Sequence, residues 1–232
     1  MPGPWSTGRD RAPRGVIPAM AVRPGSIGFM GGTFDPIHLG HLAIAEEARE
    51  ALGLARVLFV PAGIPPHRPA GAVAPAGERL AMVALAIAGN PAFELSRVDV
   101  DRDGPSYTAD TVALLAASEE RAGRIPDLTL ILSAETLAGL PGWRAPERLI
   151  GRCRVAVAPR EGHPFPDAAW FQREFPGLED RFVLLDGPRL GISSTEVRAR
   201  VVAGRSIRYL VPEAVERHIA DHGLYTVGTG PA

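Results

Sequence analysis

The sequence predicts an α/β protein built on a doubly wound parallel sheet, with a helical segment at its C-terminal end. Three observations carry that prediction. Short runs of continuous apolar residues recur along the chain, as in "SIGFM" (26–30), "RVLFVPA" (56–62) and "LTLILS" (128–133). Such runs suit strands covered on both faces. Segments with helical spacing separate them, and alternation of the two is the pattern of a parallel sheet with crossover helices. Finally, the first run ends in a glycine pair followed by a helix start, the arrangement that places ligands at the carboxyl ends of the strands.

The elements follow in order. Strand 26–30 ends at Gly31-Gly32, and segment 38–52 sets Leu42, Ala45, Ala48 and Leu52 at helical spacing before Gly53 stops it. Strand 56–62 closes at Pro61, and a proline-rich loop leads to a helix near 77–88. "FELSRVDV" (93–100) alternates and reads as extended. A helix takes 107–121, then come strands at 128–133, "RVAVAP" (154–159) and "RFVLLD" (181–186). From Ile192 onward the pattern is helical throughout. Residues 1–25, rich in Pro, Gly and Arg, read as a disordered leader with Met20 a candidate start. Residues 26–232 then form one domain, with 192–226 its C-terminal helical part.

Bulk composition narrows the function. A net charge of −1 gives no electrostatic basis for bulk nucleic-acid binding. No run of about 18 apolar residues is present to span a membrane, and no signal peptide is evident, so a cytoplasmic protein is expected. The lone cysteine, Cys153, excludes an internal disulfide framework and reads as a buried thiol. Oligomeric state is left open, a homo-oligomer included.

The chemistry concentrates in "GGTFDPIHLGHL" (31–42). Glycines allow close approach of a ligand to the backbone, and a helix starting near His38 offers free amides to an anion. His38 and His41, three apart, share a helix face. A zinc site would need a third ligand. His67, His163, His218 and His222 lie in other contexts, and no H-E-x-x-H occurs. Dinucleotide and P-loop fingerprints are absent as well, since neither G-x-G-x-x-G nor G-K-[ST] follows the strand. A second anion site is suggested by "GISSTEVRARVVAG" (191–204), where Ser193 and Glu196 form a capping box. There Ser194 and Arg198, four apart, can converge on a phosphate.

Together, G-G-T-F-D-P-x-H-x-G-H and I-S-S-T-x-V-R resemble the nucleotidylyltransferase superfamily, which has a Rossmann-like fold. "PPHR" (65–68), "DRDGPSYTADT" (101–111), "LPGW" (140–143) and "HIADHGLY" (218–225) are similar to its nicotinate-nucleotide adenylyltransferase branch. The resemblance implies transfer of the adenylyl group of ATP to nicotinate mononucleotide, with Mg²⁺ held mainly by the ATP phosphates and no metal ligands from the protein. It implies His38, His41 and Arg198 as catalytic residues. Gly31, Gly32, Thr33, Phe34, Ser194, Thr195 and Glu135 would contact ATP and its phosphates. His67, Arg68, Tyr107, Thr108 and Trp143 would bind the mononucleotide. One departure is Ser133-Ala134-Glu135, where the family usually shows G-x-D. It raises one alternative, a catalytically weakened nucleotide-binding module; a second, an enzyme preferring nicotinamide mononucleotide, stays open because backbone recognition cannot be read from side chains.

Overall fold

A computed structural model describes residues 23–66 and 74–226. Six parallel strands form one sheet: β1 (Arg23–Gly32), β2 (Leu54–Pro61), β3 (Phe93–Leu95), β4 (Asp127–Ser133), β5 (Arg154–Ala158) and β6 (Phe182–Leu184). Their spatial order is β3-β2-β1-β4-β5-β6. The order reverses between β1 and β4, so a crevice opens outside their carboxyl ends. Among the described residues, six α-helices lie between strands and two follow the last: α1 (Leu39–Leu52), α2 (Ala76–Ile87), α3 (Thr108–Arg121), α4 (Ala134–Gly139), α5 (Pro146–Ile150), α6 (Ala168–Glu174), then α7 (Ser194–Val202) and α8 (Glu213–Asp221).

The period of two along each strand sorts the apolar runs onto opposite faces. Met30, Val57, Phe59 and Ile131 join a core with α1, α2, α7 and α8. Their neighbours Phe29, Leu58, Val60, Leu130 and Leu132 join a second core with α3, α5 and α6. Both faces are therefore dry, which is why the strands read as continuous apolar runs rather than alternating ones. Gly28 lies in the middle of β1, where an added Cβ would come within 2.8 Å of Leu54 Cδ1 and 2.9 Å of Ile131 Cδ1. Gly53 ends α1 in the left-handed region (φ 59°), as its place after the last periodic residue suggested.

Four expectations need correction. Arg23–Gly25 are not leader: β1 begins at Arg23, which pairs with Leu54 and reaches Asp127 at 2.8 Å. Residues 1–22, Met20 among them, lie outside the described residues. The strand expected over 93–100 stops at Leu95, because the amides of Val100 and Asp101 turn back to the Arg97 carbonyl. The final strand covers only Phe182–Leu184 of 181–186. The C-terminal part is two helices rather than a helical run, since Gly204 and Tyr209 take positive φ and Pro212 opens α8. That break has a use: the Leu210 carbonyl accepts the Leu39 amide at the start of α1 (2.9 Å).

Among the described residues no helix is long and apolar enough to cross a membrane. Cys153 is 2% exposed and its thiol is pushed up to about 12 by burial, as a structural cysteine should be.

Gly28→Ala is expected to lower the unfolding free energy by about 1–3 kcal/mol through overpacking of the central strand. Urea denaturation measures it, and an unchanged midpoint would mean that the two methyl groups yield freely.

Candidate active site

Two cavities of about 350 Å³ each open at the carboxyl ends of the central strands, the first at β1 and β4 and the second at β1 and β2. Gly31, Gly32, Thr108 and Trp143 line both, so the two are neighbours divided by one glycine turn and one indole ring. The first is walled by His38, His41, Ser133, Glu135, Arg160 and Ser194. The second is walled by Thr33, Asp99, Ser106, Tyr107, Ala109 and Arg144.

In the first cavity His38 is the N-cap of α1, with extended backbone. Its amide donates to His41 Nδ1 at 3.2 Å. That bond leaves the proton of a neutral His41 ring on Nε2. The two rings stack with centroids 3.7 Å apart, and the Phe34 ring meets His41 edge-on at 5.1 Å. His38 is 6% exposed, and its Nδ1 is buried without a hydrogen-bond partner among the described residues. Gly40 leaves this ring its room, since a Cβ would stand 3.0 Å from that same Nδ1. The free amides expected at this helix start are largely used: Leu39 donates to Leu210 and His41 to the His38 carbonyl.

Burial, with the nearby Arg160 guanidinium, lowers the His38 pKa to about 4. Burial, then His38 and Arg160, hold His41 well below its usual value. Both rings are therefore neutral hydrogen-bonding groups at pH 7, beside a fixed cation. Arg160 escaped the sequence reading. It stands two residues beyond β5, so the strand-end rule that located the glycine turn could have found it. Its Nη1 donates to the carbonyls of Leu190 (2.8 Å) and Ile192 (2.7 Å), and its Nε faces Glu135 at 3.2 Å. Glu135 thus lies on the wall of the first cavity. Ser133, the other residue departing from the family pattern, caps α4 by accepting the Thr136 amide.

The second motif does not sit where phosphate contact alone would put it. Ser194 lines the first cavity, yet its hydroxyl donates to the Pro36 carbonyl at 2.9 Å. Arg198 lines neither cavity: it donates to the Asp35 carbonyl at 2.6 Å and lies 3.7 Å from the Asp35 carboxylate. Thr195 also lies off both walls, within 3.3 Å of Arg198 Nη2. Phe34, expected at the phosphates, is instead a core residue, 2% exposed with φ 50°, and supports His41 from behind. The added Cβ at Gly32 would meet its ring at 3.2 Å.

Asp35 ties these pieces together and was not singled out in the sequence. It is fully buried, and its Oδ1 accepts from the Ala74 amide (3.0 Å) and the Tyr225 hydroxyl (2.7 Å). Burial and the Asp35 carboxylate push the Tyr225 phenol upward, so it stays a donor. Arg79, 2% exposed, donates to the carbonyls of Thr33, Gly63 and Ala74 and fixes the other side of the turn.

In the second cavity, α3 opens at Tyr107 with no side-chain cap. The first amides, at Thr108 and Ala109, have no carbonyl partner within the helix. The loop before them is held by Ser106, which accepts the Gly63 amide at 2.9 Å, and by the buried Asp99, which accepts from Thr111 and Arg102. Trp143 is half-buried, and Arg144 covers the Tyr107 ring at 4.6 Å. His67 and Arg68 lie outside the described residues.

A switch-point crevice carrying two adjoining cavities and a histidine pair defines a nucleotide-handling α/β protein. The chain belongs to the cytidylyltransferase-like family, whose sequence profile matches residues 29–200. A probable nicotinate-nucleotide adenylyltransferase of Roseiflexus sp. (strain RS-1) is 50% identical over 199 residues, covering 86% of this chain and 97% of its own. One from Thermomicrobium roseum is 44% identical, over 86% of this chain and 91% of its own. The fold is that of the Plasmodium falciparum nicotinic acid mononucleotide adenylyltransferase complexed with NaAD. That similarity has a TM-score of 0.67 at 19% identity, over 86% of this chain and 97% of the other.

His38 supplies a pH prediction. Its folded pKa lies below its unfolded one, so the unfolded chain takes up the proton first as pH falls. The stability difference it governs is fully retained above about 6.5 and lost as pH falls to about 4. It amounts to about 3 kcal/mol over that window. Chemical denaturation should show a shallower decline for His38→Gln; equal slopes would show that His38 is not held neutral.

Proposed function

We propose that this protein transfers the adenylyl group of ATP to nicotinate mononucleotide, releasing pyrophosphate and forming nicotinate adenine dinucleotide. The carrying observation is the pair of cavities sharing Gly31, Gly32, Thr108 and Trp143. Two nucleotides can lie there with their phosphates meeting over the glycine turn. A phosphate oxygen of the mononucleotide attacks the α-phosphorus of ATP. The bond from that phosphorus to the β-phosphate oxygen breaks, and pyrophosphate leaves with its electron pair.

The chain's part is positioning and charge stabilisation rather than covalent chemistry. His41 and His38 act as neutral donors to the transferring phosphate, which adds no proton-transfer step. Arg160 stabilises charge gathering on the polyphosphate. Gly31, Gly32 and Thr33 let the phosphates approach the backbone. Ser194 and Thr195 begin α7 beside that turn, and Arg198 acts through it by holding the Asp35 carbonyl. Glu135 borders the adenosine end. The Thr108 and Ala109 amides suit the nicotinate carboxylate, Tyr107 and Trp143 frame the pyridine ring, and His67 and Arg68 provide further phosphate contacts.

Mg²⁺ fits this donor set as an ion carried on the nucleotide. Glu135 is the one carboxylate lining the first cavity among the described residues, and Arg160 engages it. Such an ion keeps phosphate and water as its main ligands and neutralises phosphate charge. We place the reaction in the cytoplasm, with no nucleic-acid or membrane partner.

Pyrophosphate release from ATP should be fastest with nicotinate mononucleotide, slower with nicotinamide mononucleotide and absent with phosphopantetheine. Preference for the amide would reassign the acceptor; ATP binding without turnover would indicate a binding module. His41→Ala should lower kcat by about 10²–10³ with little change in KM for the mononucleotide. An unaltered kcat would remove His41 from the reaction.

A further inference from the structure

Away from both cavities, α2 packs along α8 through Met82, Val83, Val215 and Ile219. At the rim of that contact three metal-ligating side chains converge. Glu78 stands in the first turn of α2, His218 in the last turn of α8, and His222 is the residue that caps α8. His218 Nε2 lies 2.7 Å from Glu78 Oε2, and the two imidazoles stack with centroids 4.0 Å apart. One ring nitrogen from each histidine and one carboxylate oxygen all lie within 4.8 Å of one another. It is the one three-ligand group of this kind among the described residues.

The chemistry of these donors is selective. Two histidines four apart on a helix present one face to an ion, and a carboxylate from a second helix makes the third ligand. An N₂O donor set with an exposed side suits zinc with water in the fourth position, not Mg²⁺ or Ca²⁺, which favour oxygen shells. The two histidines also sit at the negative end of the α8 dipole, which favours a cation there. Ligand atoms around tetrahedral zinc stand about 3.3 Å apart, given bonds near 2.0–2.1 Å. Zinc would therefore open the 2.7 Å contact to about 3.3 Å, with the three donors already within 4.8 Å of one another.

We propose that Glu78, His218 and His222 form a zinc site that staples α2 to α8. The site has a structural consequence for the turn beneath the cavities. Glu78 adjoins Arg79, whose guanidinium holds Thr33, Gly63 and Ala74, and α8 leads into Tyr225, which bonds Asp35. A metal at this joint restrains both supports of the Asp35 turn from outside the reaction site.

The test is calorimetric titration of zinc sulfate into chelator-stripped full-length protein, with His222→Ala and Glu78→Gln measured alongside. Saturation near one zinc per chain is expected, with affinity reduced more than about tenfold in each variant. Zinc should raise the thermal midpoint of the parent and leave those of the variants in place. Absence of saturable binding overturns the proposal. So does parental affinity in both variants, which would assign the zinc to other side chains such as His38 and His41.

Discussion

The structure depends on a buried carboxylate. Asp35 is fully removed from solvent, and such a charge is tolerated only when paired and hydrogen-bonded. Its partners come from remote parts of the chain: the Ala74 amide before α2, the Tyr225 hydroxyl after α8, and Arg198 from α7, which holds the Asp35 carbonyl as well. Ser194 adds a bond to the next carbonyl, that of Pro36. Removing one member of a buried charged set typically costs about 3–5 kcal/mol, because the others are left uncompensated. Segments separated by more than a hundred residues are thereby locked onto one turn, and that turn fixes where His38 and His41 stand.

This arrangement recasts the relation between the two sequence motifs. Read separately, each looks like an independent phosphate clamp. In the fold, the second motif spends its arginine and one hydroxyl on the backbone of the first, while Ser193 and Ser194 still border the cavity. Among the described residues, the glycine turn, two neutral imidazoles and Arg160 are then the groups that face the first cavity and suit a phosphate. Neutral histidines beside a cation suit a site that receives a polyanion. They donate hydrogen bonds without adding charge that would repel Arg160 in the empty cavity.

The sheet and glycine turn were legible in the sequence because local pattern decides them. Apolar runs with a period of two on two faces, Gly53 at the end of α1 and Ser193 at the start of α7 are short-range signals. His38, His41, Tyr107, Thr108 and Glu135 fall on cavity walls because their motifs lie at strand ends or helix starts. What remained hidden depends on contacts distant in sequence. Nothing near Asp35 announces that Tyr225 will bond to it, and nothing near Phe34 shows that it belongs to the core. The break between α7 and α8 is local in origin, marked by Gly204 and Pro212, and only its use depends on distant contacts. Its Leu210 carbonyl acquires a purpose only once Leu39 lies beside it. Ser133 is a mixed case: its departure from the family pattern was visible, but its capping bond to Thr136 was not.

The two halves of the site also differ in how they are held. The α3 start rests on Gly63, whose added Cβ would run into the Asp99 carbonyl, so the loops close on each other through backbone. The histidine end rests on the charged Asp35 set. The most direct measurement is therefore kcat/KM of Asp35→Asn per folded molecule, with ATP and nicotinate mononucleotide. Asparagine keeps the shape and an acceptor for Ala74 and Tyr225 but removes the charge facing Arg198. If the buried charge positions the histidines, kcat/KM falls by about 10². A parental value would contradict it, because the turn would then hold its geometry without the carboxylate.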